Sequence, residues 1–230
     1  MKKGKLIVVD GIDGSGKKTQ VGILVERLKK EGHKVVVADF PEYENNFFGK
    51  FIGHCLTEQY YNWRNIHPKI ASIAYAADRW ESSAKIKDFL DKGYVIVANR
   101  YVSSNQIHQG GKISSAKKRQ DFIEWLDTME HGVFKIPRPN IVLYLSLPLQ
   151  VALRLIDKRA GKMKREYLKK KKDVHENDVM FLQNSRRAAL WLTKTQKNWM
   201  KIECLQNGQL ARPEVIHEEI YKIVKKIIKK

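Results

Sequence analysis

Ten residues near the N-terminus carry the clearest chemical signal in this chain: Asp10-Gly11-Ile12-Asp13-Gly14-Ser15-Gly16-Lys17-Lys18-Thr19. From Gly11 they read G-x-x-x-x-G-K, the spacing of a loop that wraps phosphate. Gly14 and Gly16 allow left-handed backbone and remove side chains, so successive N–H groups can converge on phosphate oxygens. A helix starting near Lys17 would add its unpaired N–H groups and positive dipole end, and Lys17 itself would reach the outer phosphates as a point charge. The position after the lysine departs from the pattern. A hydroxyl residue normally stands there to help hold Mg²⁺, but here it is Lys18, and Thr19 would face about 100° away on an ideal helix.

Two further groups could handle a flat anionic ligand. Tyr75 and Arg79, four apart, share one face of a helical pattern; an aromatic ring beside a guanidinium suits a nucleotide. On spacing alone, a core tyrosine beside a surface arginine explains the pair more simply. The run Asn99-Arg100-Tyr101-Val102-Ser103-Ser104-Asn105-Gln106-Ile107-His108-Gln109 holds more hydrogen-bonding groups than a connector needs. Arg100 is its candidate phosphate clamp, because a planar guanidinium can bind two oxygens at once. Gly110-Gly111-Lys112 reads as a turn.

The elements that must position these residues are legible from apolar runs. Leu6–Val9, 34–38, 94–98, 141–145 and 200–204 are short, mostly apolar and separated by longer helical patterns. That is the signature of parallel strands covered on both faces. The last run alternates Lys201 and Glu203 and reads as an edge strand. Val21, Leu24, Val25 and Leu28 mark the first helix, which Gly32 ends. Helices are expected from about residue 44 to Thr57 and from about His67 to Lys92, and others open at Pro148 and Pro213. The spacing predicts a five-stranded, doubly wound α/β sheet, with ligands gathered beyond the strand C-termini, and a single domain over residues 1–230. Residues 205–211 read as a loop.

Composition narrows the class. At 43% hydrophobic and 10% aromatic, the 230 residues can fill a core. No apolar run approaches a membrane span, the N-terminus lacks an export signal, and Cys55 and Cys204 form no ligand cluster. A cytoplasmic setting with reduced thiols is expected. The net charge of +19 points to an anionic partner. Its distribution argues against a dedicated nucleic-acid surface: residues 161–172 carry seven basic side chains and one acid, and five lysines fall in the last ten residues, where they close a helix. The basic, glycine-interrupted segment at about 159–173 reads as a lid, with a capping-box spacing from Asp173 to Glu176.

With these residues in place the chain resembles thymidylate kinases. Asp10 to Lys17, Phe40-Pro41, Asp78-Arg79-Trp80-Glu81, Asn99-Arg100-Tyr101 and the lid near Arg159 follow that family's order and spacing over essentially the whole chain. The resemblance implies a P-loop NTPase fold and transfer of phosphate from ATP to dTMP with Mg²⁺. It places Gly11, Asp13, Gly14, Ser15, Gly16, Lys17, Lys18 and Thr19 at ATP, with Arg159 closing over it. Asp13 would lie near the acceptor sugar and phosphate, Phe40 would line the sugar pocket, and Tyr75 would stack on thymine. Arg79 and Asn105 would contact the base, Arg100 would bridge the two phosphoryl groups, and His108 would sit near the sugar, with Gln109 beside it. Asp13, Lys17, Arg100 and Arg159 would form the catalytic set. The family also implies a homodimer.

Four positions depart from the family pattern: Lys18, Asn99 in place of an aspartate, Tyr43 where an arginine commonly meets the acceptor phosphate, and His108 in place of an aromatic residue. They leave the Mg²⁺ ligands unassigned and bear on sugar selectivity. Two alternatives stay open at this stage. One is a kinase for another pyrimidine monophosphate; the other is a P-loop nucleotide-dependent switch, which would have no use for an acceptor pocket built from Tyr75, Arg79 and Arg100.

Overall fold

The computed structural model describes residues 3–57, 60, 62–162 and 179–229. Its centre is a five-stranded sheet in the order β2-β3-β1-β4-β5. The strands are β1 (Lys5–Asp10), β2 (Val35–Asp39), β3 (Val95–Asn99), β4 (Ile141–Ser146) and β5 (Trp199–Glu203). Every pairing is parallel, as the apolar runs predict. β1, β3 and β4 are buried almost throughout, whereas β5 buries only Trp199 and Ile202 and lies at an edge.

Helices cover both faces. On one, α1 (Lys17–Lys30) and α8 (Pro213–Lys229) pack with Ile7, Val9, Leu143 and Ile202. On the other lie α3 (Pro68–Asp91) and α5 (Ala116–Asp127), over Leu6, Val8, Ile96 and Val142. Both cores exploit the two-residue period of β1, whose Ile7 and Val9 face one layer and Leu6 and Val8 the other. A third cluster joins α2 (Phe47–Leu56) to α3 around Ile52, Cys55, Trp63 and Ala71. Cys55 and Cys204 are free, buried thiols. Desolvation pushes the first up to about 11 and the second to about 12, so neither is a ready nucleophile.

Two expectations change. The polar cluster after β3 is helical: α4 (Val102–Ser104) runs into a wide π-type turn, Asn105–Gln109. Gly110 and Gly111 continue that helix, and only Lys112 turns. Gly111 is there for close packing, since a Cβ would lie 2.9 Å from the Ser185 amide of α7 (Val179–Thr195). Residues 205–211 contain a small antiparallel hairpin, β6 (Leu205–Gln206) and β7 (Gln209–Leu210). Its two-residue turn is Asn207-Gly208, with φ of 52° and 75°, as a type I′ turn requires. α6 (Leu149–Lys162) opens after Pro148. Most of the expected lid and the 173–176 capping box lie outside the described residues.

Candidate active site

The phosphate loop joins β1 to α1 with the predicted backbone. Gly14 and Gly16 have φ of 81° and 88°, and Gly16 caps α1 in the left-handed conformation. Gly14 also lets the loop approach α6, because a Cβ there would sit 2.6 Å from the Ala152 carbonyl. Lys17 is 8% exposed; its Nζ donates to the carbonyls of Gly11 (2.8 Å) and Ile12 (3.0 Å) and stands 3.7 Å from Asp13. Lys18 and Thr19 are exposed on the first turn of α1.

Arg100 enters the same mouth from the end of β3. Its φ is 65°, a left-handed conformation costing about 1–2 kcal/mol in a non-glycine residue. Two contacts hold it there. Its amide donates to the Val9 carbonyl at 3.1 Å, and the next helical turn is tied down by Asp10. That fully buried carboxylate accepts the hydroxyls of Ser103 (2.5 Å) and Ser104 (2.8 Å) and the Gly11 amide (2.8 Å). Asp10 thus links the phosphate loop to the Arg100 segment, although nothing in its spacing marks it for that role.

The Arg100 guanidinium meets Asp13 through Nη2 and His108 Nε2 through Nη1 at 2.9 Å. A guanidinium only donates, so Nε2 is the acceptor and Nδ1 carries the ring proton, which it donates to Ser185 at 3.1 Å. The ring stacks on Phe181 at 5.6 Å and 13°. Here His108 supports Arg100 and ties it to α7, a role its sequence position does not announce.

The α3 segment Asp78-Arg79-Trp80-Glu81 divides its duties. Asp78, fully buried, accepts from the Glu42 amide (3.2 Å) and Asn46 Nδ2 (2.9 Å); desolvation raises its carboxyl above the usual range. Glu81 accepts the amides of Phe47 (3.1 Å) and Phe48 (2.9 Å), so a side chain of α3 caps α2. Together they fix the segment that carries Phe40 and Tyr43. Phe40, buried and preceding a cis proline, packs on Tyr101. Tyr43 is 42% exposed on the lip.

Arg79 is not the surface arginine that spacing alone allows. It is 2% exposed and forms a two-pronged pair with the wholly buried Glu130, both contacts at 2.8 Å. Glu130 lies on a second π-type turn, Thr128–Val133, just after α5. It also accepts Asn105 Nδ2 at 2.9 Å, while the same nitrogen donates to the Ser72 carbonyl at 3.1 Å. Gln109, one turn beyond, is buried with Oε1 unpartnered, as is Ser72 Oγ. Tyr75 is half-buried, and its hydroxyl accepts Trp63 Nε1 at 3.1 Å. Sequence reasoning missed Glu130: an acid beside Met129 and His131 carries no spacing signal, and its partner is 51 residues away. Arg159 falls within α6; its side chain lies outside the described residues.

A glycine loop between a buried strand and a helix, and a strained arginine beside it at the end of the neighbouring parallel strand, define a P-loop protein built to handle nucleotide phosphates. The chain belongs to the thymidylate kinase family of nucleoside monophosphate kinases, whose family model matches residues 9–220. It is similar to thymidylate kinase of Plasmodium falciparum, 28% identical over 226 residues that cover 98% of this chain and 92% of that one. The human thymidylate kinase is 30% identical over 153 residues, 66% of each chain. In fold it is similar to the thymidylate kinase of Candida albicans, with a TM-score of 0.72, 22% identity and coverage of 97% and 92%.

Proposed function

We propose that this chain transfers the γ-phosphoryl group of ATP to dTMP, forming dTDP and ADP. The observation that carries this reading is the meeting of Lys17 and Arg100 at one carboxylate, Asp13, where β1 and β3 end. Two cations carried by neighbouring strand ends converge where a phosphoryl group in transit would lie. An acceptor phosphate oxygen attacks the γ-phosphorus in line, and the bond to the β,γ-bridging oxygen breaks. The barrier is mainly charge repulsion and alignment, so fixed cations supply most of the catalysis. Lys17 would leave its own loop carbonyls for ATP oxygens, and Arg100 would leave Asp13 to bridge donor and acceptor. Arg159 would close from α6.

The mouth suits Mg²⁺. Ser15 Oγ and Asn99 Oδ1 are buried oxygens without hydrogen-bond partners, and Asp39 accepts Asn99 Nδ2 at 2.7 Å within electrostatic reach of Arg100, Lys18 and Lys17. Such oxygen donors match a hard cation. Ser15, Asn99 and Asp39 are the protein groups that would hold it. No cluster of three acidic, histidine or cysteine residues gathers among the described residues, so nucleotide oxygens and water would complete the shell. When bound, the ion would neutralise charge on the β- and γ-phosphates.

We also infer a homodimer through α3. Ile70, Ile73 and Trp80 lie on one face of that helix, 59%, 46% and 53% exposed, an apolar stripe of the kind that marks protein contact. Sedimentation equilibrium would detect it; a monomer at micromolar concentration would refute it. No helix among the described residues is long and apolar enough to cross a membrane, and the two buried free thiols suit a reducing, cytoplasmic setting.

The test of the activity is an ADP-release assay with ATP and Mg²⁺, offering dTMP, dUMP, dCMP, TMP or no acceptor. Turnover that requires a pyrimidine monophosphate and favours dTMP is expected. ADP release independent of acceptor would overturn the reading in favour of a nucleotide-dependent switch.

A further inference from the structure

Resting on the kinase reading above and on base contacts by Arg79 and Asn105, we propose that Glu130 determines which pyrimidines the site accepts, by fixing the position of the Arg79 donors and the direction of the Asn105 amide. Glu130 is a carboxylate. It only accepts, and here one buried carboxylate receives three donors: Arg79 Nε and Nη2 at 2.8 Å each and Asn105 Nδ2 at 2.9 Å.

Each contact has a consequence on the far side of the donor. Arg79 is locked edge-on to Glu130, and its remaining N–H groups can present only donors to a ligand. Asn105 loses its freedom to flip. Its Nδ2 faces the Glu130 carboxylate and the Ser72 carbonyl; a turned amide would set Oδ1 against two acceptors. Oδ1 is therefore the end Asn105 can offer, and it is an acceptor. Ser72 Oγ and Gln109 Oε1, buried and without partners, mark the surroundings of this network as polar ground that a ligand would satisfy.

A donor next to an acceptor is a chemical template. Thymine and uracil present an acceptor, O4, beside a donor, N3–H, and match it at both places. Cytosine presents the 4-amino donor beside the N3 acceptor and is reversed at both. Reversal inside a dry pocket leaves buried groups unpaired, which is how sites reject near-isosteric ligands most strongly. The 5-methyl group is not read by this pair, so the arrangement separates keto pyrimidines from cytosine and leaves thymine against uracil to other contacts. Glu130 touches no substrate in this scheme. It is a positioning residue, and both recognition groups depend on it.

The test uses the full chain in steady-state assays with dTMP, dUMP, dCMP and N3-methyl-dTMP. The wild type should favour dTMP and dUMP over dCMP by about 100-fold or more in kcat/KM, and should use N3-methyl-dTMP poorly. In Glu130→Gln the new amide puts a donor against Arg79 or Asn105. The dTMP/dCMP ratio should fall about tenfold or more, through the KM for the nucleoside monophosphate, with the KM for ATP unchanged. Glu130→Asp, which keeps the acceptor oxygens, should retain most of the ratio. A folded Glu130→Gln protein with the wild-type ratio would overturn the proposal, as would equal use of dTMP and N3-methyl-dTMP by the wild type, a readout independent of whether any variant folds. Failure of the wild type to phosphorylate dTMP at all would instead overturn the kinase reading, and this inference with it.

Discussion

Two arginines mark the two ends of the site, and the molecule holds them in opposite ways. Arg100, the proposed phosphate clamp, follows a strand in left-handed backbone; it and its partner Asp13 are 19% and 21% exposed. Arg79, the proposed base contact, lies within a 24-residue helix, with itself and Glu130 at 2% and 0%. A partly solvated pair can be exchanged for phosphate at modest cost, since water and substrate both compete for it. A fully desolvated pair cannot, because either partner alone would be a buried, uncompensated charge. Phosphate changes position and charge during the reaction, whereas a base only has to be identified. On the proposed roles, the difference teaches that charge moved in catalysis sits on replaceable partners, and polarity used in recognition is built in before the substrate arrives.

The largest expected effect would break this comparison if it failed. Arg100→Ala should lower kcat about 10²–10³-fold, the usual loss for an electrostatic stabiliser, while urea unfolding shifts by less than about 1 kcal/mol. Equal losses of activity and stability would show Arg100 to be structural.

Arg79→Ala should do the reverse, stranding Glu130 and destabilising the fold by about 3–5 kcal/mol. Denaturant titration is the measurement, and a loss near zero would mean that Glu130 finds other solvation.

A smaller effect concerns Lys112, which donates to the Ile66 carbonyl at 3.3 Å just beyond the Asn105–Gln109 turn. Desolvation pushes its ammonium down to about 8 from 10.5. The folded value is below the unfolded one, so between these pH values the unfolded chain binds the extra proton and stability rises with pH. The burden is fully present below about pH 8. Lys112→Met should flatten the rise of melting temperature across that window, and an unchanged slope would count against desolvation on the base side.

The smallest expected effect is on Tyr75. Tyr75→Phe removes the acceptor of Trp63 Nε1 and should cost about 1 kcal/mol, with the KM for dTMP within about twofold. Tyr75→Ala should raise that KM about tenfold by removing a stacking face. If Phe is as damaging as Ala, the hydroxyl rather than the ring faces the substrate.

Much of the fold was legible because its causes are local. Five apolar runs announced five strands, Gly32 and Pro213 marked helix ends, and the glycine loop is one contiguous stretch whose conformation its own glycines set. The same logic could have revealed the hairpin at residues 205–210, since Asn207-Gly208 supplies the left-handed pair a tight turn needs. Helical wide turns at Asn105–Gln109 and Thr128–Val133 were not legible, because polar side chains there suggest loops until tertiary partners satisfy them.

In the site the division is sharper. Residue types and spacing alone determined that Gly14, Gly16 and Lys17 form a loop shaped for phosphate, that Arg100 stands at a strand end, and that Tyr75 and Arg79 share a helix face. Only the tertiary structure decided what each charged group holds: Arg79 with Glu130 rather than solvent, His108 with Arg100 and Ser185, and Asp10 with two serines of the neighbouring segment. The physical reason is that backbone conformation and helical phase act over a few residues and leave a pattern in the chain. The partner of a side chain is chosen by packing between elements tens of residues apart, where burial makes an unpaired charge intolerable but writes no local signature.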